Sequence, residues 1–246
     1  MLHPLIEEIQ RTKRTQLADG SEVAANSFIP RDECELIYEV IAQSGATRGV
    51  ETGMAYGISS LCIADALRKN SATSRLVSID PSQTDGWHGA AIHLLLRAGF
   101  TPEVIEEPSQ LALPRLVREG QRFDFGFIDG WHTFDHTLID FFYIDMLLEN
   151  GGFIVLDDVG YPAINAAVRF ILANRDYELV KALTYEIRAP MAVRRAIKRM
   201  LRPLARTDRD PSPQHELLFR RVERAHAIAI RKRGADTRRF DHYERF

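Results

Sequence analysis

Cysteine is nearly absent. Cys34 and Cys62 are the only two in 246 residues, and neither has a C-x-x-C neighbour. That excludes a disulfide framework and a cysteine-based zinc site. Both thiols fall within helix-like apolar patterns and are expected in the core. Long apolar runs are also missing: no stretch approaches the roughly 20 residues needed to cross a bilayer. The opening MLHPLIEEIQRTKR carries acidic residues where a secretory leader needs its apolar centre, so a cytoplasmic protein is expected. Glycine (15) and proline (11) are modest, and there is no internal repeat or low-complexity tract, which excludes fibrous and disordered classes.

Neither sign of charge dominates the whole, with 32 Lys+Arg against 34 Asp+Glu. The distribution is uneven. From Glu186 onward there are 17 basic and 8 acidic residues, a balance of +9, and the preceding chain carries −11. A basic segment thus follows an acidic body, a pattern that serves nucleic acid, an anionic surface, an anionic substrate or a subunit contact.

What is present alternates between two periods. A short amphipathic helix (Leu5, Ile6, Ile9) is followed by RDECELIYEVIAQSG, whose Leu36, Ile37, Val40 and Ile41 share one helical face, with Pro30 and Asp32 at its start and Gly45 at its end. Strand-like runs RGVET, RLVSID, PEVIEE, FDFGFID and GGFIVLDD then alternate with helical stretches near 57–69, 88–98, 109–119 and 133–149. This order predicts an α/β fold, a Rossmann-like, doubly wound and mostly parallel sheet of about seven strands with helices on both faces. A helix from Pro162, a strand at YELVKALTYEI, a basic amphipathic helix at MAVRRAIKRMLRPLAR and a last strand at HELLFRRVE complete the expectation. The boundaries are a helical arm over 1–30, a core over 31–185, and a basic segment over 186–246 that completes the sheet around an inserted helix.

In such sheets ligands bind beyond the carboxyl ends of the strands. The first core strand ends in Glu51, then Gly53 and Gly57 at a helix mouth followed by Ser59. Glycines let the backbone approach a ligand, and a helix N-terminus welcomes a carboxylate. The loop lacks the third glycine of a dinucleotide fingerprint, which argues against a nicotinamide-dependent oxidoreductase. Asp80 ends the next strand, placed to accept from ribose hydroxyls or to cap the following helix. Asp129 ends the fourth strand, followed by Trp131 and His132, and Asp157 and Asp158 end the fifth. If those strands are neighbours, three carboxylates converge and repel, and a divalent cation bound by oxygen, Mg²⁺ first, would relieve them. The alternatives are that these aspartates satisfy loop amides and that His132 caps a helix.

The E-x-G-x-x-x-G loop with DGWH and LLENGGFIVLDD resembles the class I S-adenosylmethionine-dependent methyltransferases, and over residues 30 to 185 the small metal-dependent O-methyltransferases. The resemblance implies a cofactor site of Glu51, Gly53, Gly57, Ser59, Asp80, Ser109, Gln110, Asp129 and Trp131, a metal on Asp129, Asp157 and Asp158, and a small hydroxylated acceptor. His132 stands where the catechol enzymes have a lysine base. Asp158 replaces their asparagine and is similar to the Asp-Asp pair of antibiotic-sugar O-methyltransferases. Metal-independent N- or O-methylation is the competing reading. Nucleic-acid binding by the whole protein is not expected, since the basic segment lacks interleaved stacking aromatics; the terminal segments are candidates for self-association. Trp87 is expected to pack on its own helix, Phe134, Phe141 and Phe142 in the core, and Asp140 and Asp145 on a solvated or capping face. No partner is assigned to His226.

Overall fold

In the computed structural model, residues 1–184 and 211–246 are described. The helix expected over 191–206 and the end of the strand expected over 177–187 lie outside them.

The chain opens with α1 (Pro4–Thr12) and a small antiparallel hairpin, β1 (Arg14–Gln16) and β2 (Glu22–Ala24). Then come α2 (Arg31–Ser44), β3 (Arg48–Thr52), α3 (Ile58–Asn70), β4 (Arg75–Ile79), α4 (Ala90–Arg97), β5 (Glu103–Ile105), α5 (Ser109–Arg118), β6 (Phe123–Ile128), α6 (Phe134–Leu147), β7 (Leu148–Leu156), α7 (Pro162–Asn174) and β8 (Tyr177–Thr184). After the gap follow α8 (Pro213–Val222) and β9 (Ala225–Lys232). The main sheet has seven strands in the order β5-β4-β3-β6-β7-β9-β8. The first five are parallel, and β9 runs antiparallel to both of its neighbours. The α/β expectation therefore holds, with one reversed strand beside the parallel block.

Strands buried on both faces must be apolar at successive positions. Phe125, Phe127, Phe153 and Val155 pack on one side, with α2 and α3 residues such as Ile37, Ile41 and Leu61. Val50, Ile128, Ile154 and Leu156 pack on the other with Phe141, Ile144, Val168 and Ile171 of α6 and α7. Both cysteines are free and buried, as expected. α2 ends at Gly45 in the left-handed region, as its sequence foretold.

Three expectations fail. HELLFRRVE is helical: Ser212 accepts from the His215 amide, Pro213 opens the first turn and Arg220 and Arg221 close the last, so helix signals outweigh its apolar pair. The last strand is AHAIAIRK instead, fully inserted between β7 and β8. Asp140 and Asp145 are buried, not solvated. On α6, Phe141 is core, but Phe134 and Phe142 are exposed together with Ile139 and Met146. That helix is apolar nearly all round, so periodicity carries little information about which face points inward.

Candidate active site

Just past the parallel strands the backbone is stitched sideways. The Gly53 amide donates to Ile79 O, the Asp129 amide to Thr52 O, the Asp157 amide to Ile128 O, and the Val159 amide to His226 O. These bonds place residues far apart in sequence on one rim.

Gly53 is where β3 and β6 meet most closely. A Cβ there would lie 2.0 Å from the Asp129 carbonyl oxygen, and its φ of +85° suits only glycine. Gly57, also at positive φ, opens α3 so close to Ala91 that a Cβ would stand 2.7 Å from its Cα. The loop between them is held by Asp80: the amides of Met54 and Ala55 both donate to its Oδ2 at 3.0 Å, and Gln83 Nε2 adds a third donor at 3.1 Å. Its Oδ1 accepts only from the Ser82 amide, at 2.9 Å, so the remaining accepting capacity of this buried carboxylate is on Oδ1.

Glu51 is completely buried beneath the loop. Ser78 Oγ donates to its Oε1, and Oε2 has no partner. Burial raises its pKa to about 7, and the nearby hydroxyls of Ser60, Ser78 and Ser59 oppose the shift. Ser59 is buried, Ser109 half-buried at the start of α5, and Gln110 exposed. Burial also raises the carboxyl of Asp140, with Ser109 and Thr52 beside it. Trp131 is exposed near His136, and Trp87 packs edge-on against Tyr56 of the glycine loop rather than on its own helix.

The acidic half of the rim surrounds a cavity of about 530 Å³ lined by Asn26, Phe28, Asp32, Asp129, His132, Asp157, Asp158 and His226, among others. His132 Nε2 lies 3.3 Å from Asp129 Oδ1 and 3.2 Å from Asp158 Oδ2, and its ring stacks on Tyr161 at 5.6 Å. The Asp129 hydrogen bond is the main cause of its raised pKa, ahead of desolvation, which opposes it. Burial, followed by Asp129 and Asp158, lifts Asp157 to about 7, and burial lifts Asp129 and Asp158. Asp158 sits at φ +54°, a left-handed position that aspartate tolerates better than most residues. The structure thus brings Asp129, His132, Asp157 and Asp158 together. Glu51, Gly53, Gly57, Ser59, Asp80, Ser109, Gln110 and Trp131 do not line this cavity.

Sequence reasoning missed Asp32, Glu33, His226 and Tyr161. His226 reaches the rim because β9 is antiparallel: its start lies where β7 ends, with Leu156 opposite Ile228. Only a correct placement of that strand would have revealed it. Asp32 and Glu33 arrive from the N-terminus of α2, where they read as ordinary first-turn acids.

Residues 50–159 match the family described as "Methyltransferase domain". No curated protein matches the chain. Solved structures with the same fold include an O-methyltransferase from Bacillus cereus in complex with SAH, 19% identical, TM-score 0.58, covering 74% of this chain and 82% of that one. The O-methyltransferase TomG from Streptomyces achromogenes, involved in tomaymycin synthesis and in complex with SAM, is 17% identical, with a TM-score of 0.57 and coverage of 83% and 81%. The SAH-bound methyltransferase PaMTH1 from Podospora anserina is 17% identical at TM-score 0.57, covering 73% and 83%. The resemblance to class I S-adenosylmethionine-dependent methyltransferases is borne out. Among the described residues no helix is long and apolar enough to cross a membrane.

Proposed function

We propose that the protein transfers a methyl group from S-adenosylmethionine to a hydroxyl oxygen of a small acceptor, with a divalent cation, Mg²⁺ first, on Asp129, Asp157 and Asp158. One observation carries this: Asp129, Asp157, Asp158 and His132, from two adjacent strand ends, line the same cavity. Three carboxylates so placed disfavour one another's ionised forms, and their oxygen donors suit a hard cation. When bound, the cation would polarise the acceptor hydroxyl and the cofactor would supply its sulfonium methyl.

The chain's own residues do the rest. His132 Nε2 takes the hydroxyl proton, and the carboxylates of Asp129 and Asp158 stabilise the resulting imidazolium. Tyr161 holds the imidazole plane by stacking. The Gly53–Gly57 loop, whose glycines let it pack directly on Asp129 and Ala91, would cradle the cofactor with backbone. Asp80 has Oδ1 left for a ribose hydroxyl, Glu51 and Ser59 support the loop from below, Ser109 and Gln110 face the base, and Trp131 covers it. The cavity is the acceptor's place.

Thermal unfolding with S-adenosylhomocysteine or NAD tests the cofactor: only the first should raise the midpoint. Methyl transfer to a simple catechol and to a vicinal sugar diol should fall at least about 100-fold after chelation and in Asp157→Ala, since cation polarisation supplies several kcal/mol. An undiminished rate after chelation removes the cation and leaves metal-independent methylation.

A further inference from the structure

A second cluster of ligating side chains lies behind the first. Glu33, Asp157 and His226 each offer a donor atom within 4.8 Å of the others, as a separate group from Asp129, His132 and Asp158. Glu33 has no solvent exposure, and neither of its carboxylate oxygens accepts a hydrogen bond among the described residues; Asp157 is its carboxylate neighbour. An unpaired carboxylate removed from water costs several kcal/mol unless something positive meets it. Lysine and arginine meet the buried acids Asp65 and Asp145; among the described residues, Glu33 is faced instead by the Asp157 carboxylate and the His226 imidazole.

The imidazole is set up to ligate. His226 Nε2 lies 2.9 Å from Asp32 Oδ2, and Nδ1 faces Glu33 Oε2 at 4.0 Å. A carboxylate on one ring nitrogen fixes the tautomer that presents the other nitrogen's lone pair, the usual outer support of a histidine metal ligand. Nδ1 and Glu33 Oε2, 4.0 Å apart, would draw in to about 3.3 Å as neighbouring ligands of a tetrahedral ion, each about 2 Å from it. The donors come from α2, β7's end and β9's start, three packed elements, so the arrangement is rigid.

We propose that Glu33, Asp157 and His226 form a second cation site, for a divalent transition ion, with Asp32 orienting the histidine. Two carboxylates and an imidazole favour Mn²⁺, Fe²⁺ or Zn²⁺ over Mg²⁺ and Ca²⁺, whose preference is for oxygen alone. Asp157 belongs to both sites and links them. The inference goes beyond the catalytic reading, because Glu33 and His226 take no part in it.

The test counts Mn²⁺ bound to the full chain by electron paramagnetic resonance, after chelator treatment and dialysis. Wild type should bind two ions, of which excess Mg²⁺ displaces one. Glu33→Gln and His226→Gln should each bind one, displaceable by Mg²⁺. Asp129→Ala should bind one that Mg²⁺ does not displace, and Glu33→Gln with Asp129→Ala should bind none. A count unchanged by both Glu33→Gln and His226→Gln overturns the second site, whatever Asp129→Ala does, and means that Glu33 and Asp157 share a proton instead. A single wild-type ion lost in Glu33→Gln but kept in Asp129→Ala supports this site and removes the catalytic cation. No bound Mn²⁺ in wild type overturns both. The Mg²⁺ competition needs no variant, so a misfolded mutant does not decide the outcome.

Discussion

Asp145 and Glu33 are both buried acids on helices packed against the sheet, yet their surroundings are opposite. Asp145 is met by Arg175, by the Tyr177 hydroxyl at 2.7 Å and by Lys232 Nζ at 3.2 Å. Lys232 also donates to two carbonyls of the α6–β7 junction, Asp145 O and Leu148 O. Glu33 has no lysine, arginine or tyrosine partner among the described residues, and burial followed by the Asp157 carboxylate pushes its carboxyl well up. The difference separates two uses of a buried charge. A compensated carboxylate fastens elements of the fold, here α6, α7, β8 and β9. An uncompensated one is held in place by the rest of the structure and keeps its lone pairs for a ligand.

The sharpest way to break the comparison is Asp145→Ala. It leaves Lys232 buried without its counter-ion and Arg175 with Asp236 alone, and should cost about 3–5 kcal/mol, lowering the unfolding midpoint by roughly 10 °C, with or without divalent cation. An unchanged midpoint would show that the cluster fastens nothing. Glu51→Gln comes next. Its folded pKa of about 7 lies above the ordinary 4.5, so the folded state holds a proton that the unfolded chain releases first. Wild-type stability therefore declines as pH rises from 4.5 to 7, and the penalty persists above 7. Glutamine removes it: the variant's gain over wild type should be larger at pH 8 than at pH 5 by on the order of 3 kcal/mol, measured by denaturant unfolding without cofactor. A pH-independent difference would place the charge elsewhere. The smallest effect is for Glu33→Met, which should stabilise the cation-free protein by about 1–3 kcal/mol, as apolar replacement of an unsatisfied buried polar group does. A destabilised Glu33→Met would mean that the carboxylate is compensated after all.

The parallel half of the molecule was readable because its signals are local. The runs of FDFGFI and FIVL, the glycines flanking Ala55 and the acids at the strand ends each announce their place within a few residues. The other half of the rim depends on contacts that cross the chain. Asp32 and Glu33 read as helix-start acids because their neighbours, β7's end and β9's start, are more than a hundred residues away. His226 could be assigned only once HELLFRRVE was known as a helix and the following AHAIAIRK as the reversed strand. Asp145 looked like a solvated residue because Arg175, Tyr177 and Lys232 lie on three other elements.

The place of β9 has a bearing on how the molecule is made. Among the described residues β8 joins the sheet only through β9, which lies between it and β7. While the ribosome is still short of residue 225, a nascent chain has β7 as an open edge and β8 with no strand to pair with. Such an unpaired edge is the surface on which growing chains associate. The step that covers it also delivers His226 to the rim, so protection from aggregation and completion of the site arrive together.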